Sequence, residues 1–170
     1  MSVVVGQVTK NKILLAADSQ ISCGREIRDN LSFTKINIIK DIVVGTVGEC
    51  QEALILNSYI KNTIVPDNIC GLVGYFAEFY KYRDSLNRKI EPEGKDSLTN
   101  SQFMLVVNGT LFFVNELYVD MVVTYHAMGI GDEYAYGAME AGANIVKAVE
   151  IACKFSTDCG LPVQYMEIKR

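Results

Sequence analysis

The segments of this chain that read as β-strands are apolar at consecutive positions, not at alternate ones. Val3-Val4-Val5, Ile13-Leu14-Leu15-Ala16-Ala17, Ile42-Val43-Val44 and Phe103-Met104-Leu105-Val106-Val107 all have this form. Successive strand side chains point to opposite faces of a sheet, so such a run carries apolar groups on both faces and needs cover on both. A sheet with one face in water is excluded. The cover has to come from helices or from a second sheet.

The order of elements supplies that cover. Residues 2–8 and 13–17 flank polar Thr9-Lys10-Asn11-Lys12 and predict a hairpin, and 35–39 with 42–44 about Lys40-Asp41 predict another strand pair. The stretch after Asp18, through Ser22, Gly24 and Asn30, is polar and irregular. Glu49 opens a helix with an apolar stripe of Ala53, Leu54, Leu56, Ile60 and Ile64. Pro66-Asp67 starts a second, with Ile69, Val73, Phe76, Phe79 and Tyr80 facing inward. Residues 83–100 are polar, contain Pro92 and Gly94, and read as the longest loop. Asn108-Gly109 between 103–107 and 111–114 is the strongest short-range hairpin signal. A further strand spans 119–128, and Gly129-Ile130-Gly131 leads into Asp132 and Glu133, acidic residues suited to a helix N-terminus. After Gly142 a last helix runs through Ile145, Val149 and Ala152, and 162–168 form the final strand.

Two antiparallel sheets packed face to face, with a helix pair outside each, bury every apolar face in that order. The predicted fold is α+β, a four-layer αββα sandwich. A length of 170 residues is close to one domain's worth, read as a single domain over 1–170.

Composition narrows the function. The net charge of −4 argues against a surface that neutralises phosphates, so no nucleic acid partner is expected. No apolar stretch approaches the roughly 20 residues that span a bilayer, and the N-terminus lacks the basic region and apolar core of a signal peptide. No membrane association is expected, and a cytoplasmic location is. The five cysteines are widely spaced with no C-x-x-C pair, which points to free thiols and not to zinc or a redox dithiol. No cofactor and no metal are expected: Gly129-Ile130-Gly131 lacks the third glycine of a dinucleotide turn, and no ligand cluster stands out. The lone His126 lies in an apolar run and reads as structural, although a Ser/His/Asp or Cys/His site would have to use it. The aromatic stripe Tyr75, Phe76, Phe79, Tyr80 and Tyr82 reads as core with a subunit contact.

The N-terminus carries the chemistry. Met1 before a small residue is the usual context for initiator removal, which leaves Ser2 with a hydroxyl and a free α-amine. Such an amine has a reference pKa of roughly 7.7–8.0, so nucleophile and base sit on one residue. Ser2 begins an apolar strand directly, Asp18 ends the neighbouring strand, and Lys35 starts a later one. A lysine beside the amine favours its neutral form, and Asp18 could hold that lysine by an ion pair. The turn from Gly45 to Gly48 offers N–H groups at a helix N-terminus for an oxyanion. By spacing alone, residues placed like Asp18 and Lys35 are more often solvated surface charges, Gly45 and Gly48 an ordinary strand-to-helix turn, and very many chains begin Met-Ser with no chemistry implied.

Together these residues resemble the proteasome β-subunits and their bacterial relative HslV, within the N-terminal-nucleophile hydrolases, over essentially the whole chain. The likeness is carried by Ser2 at the head of the first strand, Leu14-Leu15-Ala16-Ala17-Asp18-Ser19-Gln20, Lys35-Ile36 and Val43-Val44-Gly45-Thr46-Val47-Gly48-Glu49. Met128-Gly129-Ile130-Gly131 before a helix holding Tyr136-Gly137, and Cys159-Gly160-Leu161-Pro162-Val163, complete it. The resemblance implies that Ser2 replaces the catalytic threonine, that Lys35 is the active-site lysine with Asp18 as its support, and that Gly45 N–H forms the oxyanion hole. It also implies an apolar substrate pocket near Ile21, Val43 and Val47, maturation by Met1 removal alone, and peptide or unfolded-protein substrates. A homo-oligomeric ring working with an ATP-dependent unfoldase completes what it implies.

Three departures stand out. Serine lacks the β-methyl that restricts χ1 of threonine. Ile130 stands where the family often has a serine that organises the terminal amine, and Ser156 and Cys159 stand where the proteasome has a supporting aspartate and serine. They motivate a second reading, a catalytically inactive ring subunit with an assembly role, and a small-molecule amidohydrolase is a third.

Overall fold

The computed structural model describes residues 2–23, 26–27, 32–90 and 101–170. In chain order its elements are β1 (Val4–Val8), β2 (Lys12–Ala17), β3 (Ser22–Cys23), β4 (Glu26–Ile27), β5 (Ile36–Ile39), β6 (Ile42–Val47), α1 (Cys50–Asn62) and α2 (Ile69–Ile90). These are followed by β7 (Gln102–Val107), β8 (Thr110–Asn115), β9 (Tyr118–Met121), β10 (Tyr125–Met128), α3 (Asp132–Glu140), α4 (Ile145–Phe155) and β11 (Gln164–Lys169). One sheet has the order β10-β1-β2-β11, and the other β5-β6-β7-β8-β9; β3 and β4 form a small ribbon. All pairs are antiparallel.

The apolar runs divide by parity between separate cores. Val4, Leu15, Ala17, Val43, Val47, Met104 and Val106 fill the space between the sheets. Their chain neighbours Val3, Val5 and Ala16 face α3 and α4. Val44, Phe103, Leu105 and Val107 face α1 and α2. The layers are helix pair, sheet, sheet, helix pair, as the doubly apolar strands required.

Several boundaries differ from the sequence reading. The polar segment from Arg83 begins as helix, not loop: α2 runs on to Ile90. The reason is Arg83, 6 % exposed, whose Nη1 donates to Glu52 Oε1 on α1 at 2.8 Å and so pins the two helices through a polar pair. Residues 91–100, with Pro92 and Gly94, lie outside the described residues, as do Met1, Gly24 and Asn30. The inward faces of the helices are narrower than predicted. Ala53, Leu56 and Ile60 are buried at helical spacing, whereas Leu54 points off that face and Ile64 lies past the helix end, both exposed; Ile69 is exposed too. The predicted strand 119–128 is two strands in two different sheets. Val122 N–H still donates to Leu111 O, but Thr124 O already accepts from Val8 N–H, so the chain changes sheets within two residues. Among the described residues no helix is long and apolar enough to cross a membrane.

Candidate active site

Ser2 lies just before β1 and is 5 % exposed. Its carbonyl accepts Gly131 N–H at 3.3 Å, and the next amide, Val3 N–H, donates to Asp18 Oδ1 at 2.9 Å. The peptide that follows Ser2 is therefore held at both ends. The close approach of the 129–131 loop depends on glycine: at Gly129, with φ +95°, a Cβ would stand 2.3 Å from Ser2 O.

Asp18 follows β2 and is fully buried. Besides Val3 N–H, its Oδ1 accepts Lys35 Nζ at 2.7 Å; its Oδ2 accepts Gln20 N–H and Gly160 N–H, each at 3.1 Å. Four donors occupy the whole accepting capacity of the carboxylate. Lys35, 4 % exposed, precedes β5, and its carbonyl accepts Thr46 N–H at 2.8 Å. A buried ammonium is tolerated when paired in this way. Because Lys35 Nζ and Val3 N share one oxygen, the ammonium lies within the sum of those two contacts from the chain just after Ser2.

Ser2 and Lys35 line one small cleft. Its wall includes Ile21, Phe33, Val47 and Ala53, with Gly48 and Glu49 at the strand-to-helix turn. Gly48 has φ +105°, and Ser101 Oγ accepts Glu49 N–H at 3.1 Å, fixing that turn.

Of the residues singled out in the sequence, Ser2, Ile21, Lys35 and Val47 line one cleft, with Asp18 directly behind Lys35. Val43 and Gly45 lie further back along β6. Val43 belongs to the core between the sheets, and Gly45 is paired with Ile36 on one side and Met104 on the other. Ile130, between the two glycines that approach Ser2, is 49 % exposed. Ser156 Oγ accepts Asp158 N–H, and burial pushes the Cys159 thiol up to about 11 and that of Cys153 up to about 12, so both stay protonated near neutral pH.

His126 stands apart from this arrangement, its Nδ1 2.7 Å from Tyr136 Oη and its ring 4.1 Å from that of Phe113. Tyr75, Phe76 and Phe79 are core, as read. Among the described residues no group of three or more His, Cys, Asp or Glu is placed to hold a metal ion.

Sequence reasoning missed the residues that brace the site. Gln102 Oε1 accepts Gly129 N–H, Gln164 Oε1 accepts the amides of Lys35 and Ile36, and Phe33 joins the cleft wall. A signal for Gln164 exists: in the alternation of β11 it falls in the inward row with Met166 and Ile168, the one polar member of that row.

No protein-family model and no curated protein matches the chain. Solved structures do match its fold. BPH from Thiobacillus denitrificans, in complex with epoxomicin, superposes with a TM-score of 0.81 at 23 % identity, covering 98 % of this chain and 98 % of that one. HslV from Trypanosoma brucei superposes at 0.74 with 18 % identity over 99 % of both chains. Anbu, an ancestral β-subunit from Yersinia bercovieri, superposes at 0.73 with 14 % identity over 98 % of this chain and 81 % of that one. At these identities the likeness is one of fold: the chain has the proteasome-like N-terminal-nucleophile hydrolase fold.

Proposed function

We propose that this chain is a proteasome-like peptidase whose nucleophile is Ser2, exposed by removal of Met1. Ser2 Oγ attacks a peptide carbonyl while the α-amine of the same residue takes the hydroxyl proton. Lys35, held by Asp18, keeps that amine neutral by like-charge repulsion. The backbone N–H of Gly48, where β6 gives way to α1 in the cleft wall, stabilises the oxyanion in place of Gly45, which is paired on both sides within β6. The tetrahedral intermediate collapses, the departing amine leaves with the proton, and water then hydrolyses the ester to restore Ser2.

The observation that carries this reading is the shared oxygen: Lys35 Nζ and Val3 N–H both bind Asp18 Oδ1, at 2.7 and 2.9 Å. It ties a buried cation to the first peptide of the mature chain. The substrate is a peptide or an unfolded protein, with Ile21 and Val47 on the cleft wall favouring an apolar side chain before the cut. The chain acts as one domain in a cytoplasmic homo-oligomeric ring, fed by an ATP-dependent unfoldase. A second reading, an inactive ring subunit, is favoured by Ile130, which puts an alkyl group and no hydroxyl between the glycines at Ser2.

Intact mass establishes whether Ser2 is the terminus. Epoxomicin, an epoxyketone whose two electrophilic carbons can capture a hydroxyl and an amine of one residue, then tests the chemistry. The processed protein is expected to gain one epoxomicin mass and to hydrolyse a peptide amide after an apolar residue. Ser2→Ala removes both activities, and Lys35→Ala slows labelling about 100-fold or more. A processed, assembled protein that does neither sinks the peptidase and leaves the inactive subunit.

A further inference from the structure

β11 and β5 are edge strands of different sheets. The amides at the start of β5 find their acceptor in a side chain. Gln164 Oε1 accepts Lys35 N–H at 2.9 Å and Ile36 N–H at 3.2 Å. Successive amides of a regular strand point to opposite sides, so two that converge on one oxygen mark a bend of the backbone into a small nest. The other end of the same amide is anchored as well, Gln164 Nε2 donating to Ser19 Oγ at 3.2 Å. Gln164 pairs in register with Ala17, the residue before Asp18. One side chain therefore spans from the strand that presents Asp18 to the main chain that presents Lys35.

We infer that Gln164 is a positioning residue for Lys35, fixing the root of its side chain while Asp18 fixes the tip. The inference rests on the reading of Lys35 as the cation that keeps the Ser2 amine neutral. A lysine stem has four rotatable carbons, and an ion pair at its end does not by itself fix where the head sits relative to a third group. With both ends held, the distance from the ammonium to the amine is set. Without Gln164, two partly buried amides lose their acceptor, the bend at 35–36 relaxes, and the ammonium follows. In a site of low dielectric, a drift of an ångström or so changes the like-charge repulsion enough to move the amine's titration by about half a pH unit.

The test is the pH dependence of Ser2 labelling by epoxomicin, followed by intact mass on the full processed chain. Gln164→Ala is expected to shift the acid limb to higher pH by about 0.5 unit and to slow labelling at neutral pH by up to about 3-fold. Ser19→Ala frees only the Nε2 end and is expected to shift the limb the same way by less. An unmoved limb in Gln164→Ala overturns the inference even if the overall rate falls. Should that variant not fold, an unmoved limb in Ser19→Ala overturns it instead. Lys35→Ala, run beside them, separates the two levels: if it labels with the parent limb, the reading of Lys35 fails; if it loses the limb while Gln164→Ala keeps it, only the role of Gln164 fails.

Discussion

Asp18 accepts hydrogen bonds from four places in the chain, at Val3, Gln20, Lys35 and Gly160. These segments belong to different elements, so the carboxylate is both the support of a candidate catalytic lysine and a knot in the fold. The two roles separate by substitution. Asn at this position cannot accept with its NH₂ group, so at least one donor then faces a donor, and Lys35 keeps a buried charge with no counter-charge. Asp18→Asn is expected to cost about 3–5 kcal/mol in urea unfolding. Lys35→Met leaves Asp18 its three amide donors and is expected to cost less, about 1–3 kcal/mol. Equal losses, or a loss under about 1 kcal/mol for Asp18→Asn, are inconsistent with a saturated carboxylate. Asp18 and Lys35 could be picked out in the sequence because strand ends and a family likeness marked them. Gly160 and Gln20 could not, because they act through backbone amides that any residue carries.

The elements formed where consecutive apolar residues or Asn108-Gly109 specified them, and shifted where a polar residue had a tertiary partner. Arg83 reads as a loop residue until Glu52 is seen beside it on α1. The crossing at 122–124 has no local signal, since residues 119–121 and 125–128 each make an acceptable strand and only the neighbours differ. His126 is the hinge of that second piece, joining β10 to Tyr136 on α3 and to Phe113 on β8. Burial holds its pKa below the usual 6.5, with Asp132 and Asp120 acting the other way. Protonation is thus harder in the folded chain than in the unfolded one. The resulting contribution is complete above about pH 6.5 and declines as pH falls through and below it, because the unfolded state takes up the proton first. Urea midpoints from about pH 7.5 to about pH 5.5 should fall, and His126→Gln should flatten that part of the curve. An unchanged slope in the variant removes His126 from the account.

At the scale of the molecule, three apolar layers hold two sheets and two helix pairs, and the cleft opens where the ends of β2 and β6 and the chain before β1 and β5 come together. The middle layer bears directly on the site, because Asp18 and Lys35 come from different sheets and keep their distance only while the sheets keep theirs. Leu15 is fully buried in that layer. Leu15→Ala is expected to cost about 2–5 kcal/mol. For a chain of this length each kcal/mol lowers Tm by roughly 2–4 °C, at fixed protein concentration. Labelling at Ser2 should slow in the same variant well below its Tm; labelling at the parent rate would show that the site does not depend on sheet spacing.

The amino-acid order by itself determined the layers, because strands apolar on both faces admit few covers, and it marked Ser2, Asp18 and Lys35 by their places at strand ends. It did not determine which sheet each strand joins, which helix positions face in, or which amides and glutamines brace the candidate nucleophile. Those depend on contacts between residues far apart in the chain, such as Gln164 with Lys35 and Gly160 with Asp18. A hydrogen bond of that kind leaves no periodicity behind. Its partners meet only after the sheets have packed, so tertiary structure alone decides them.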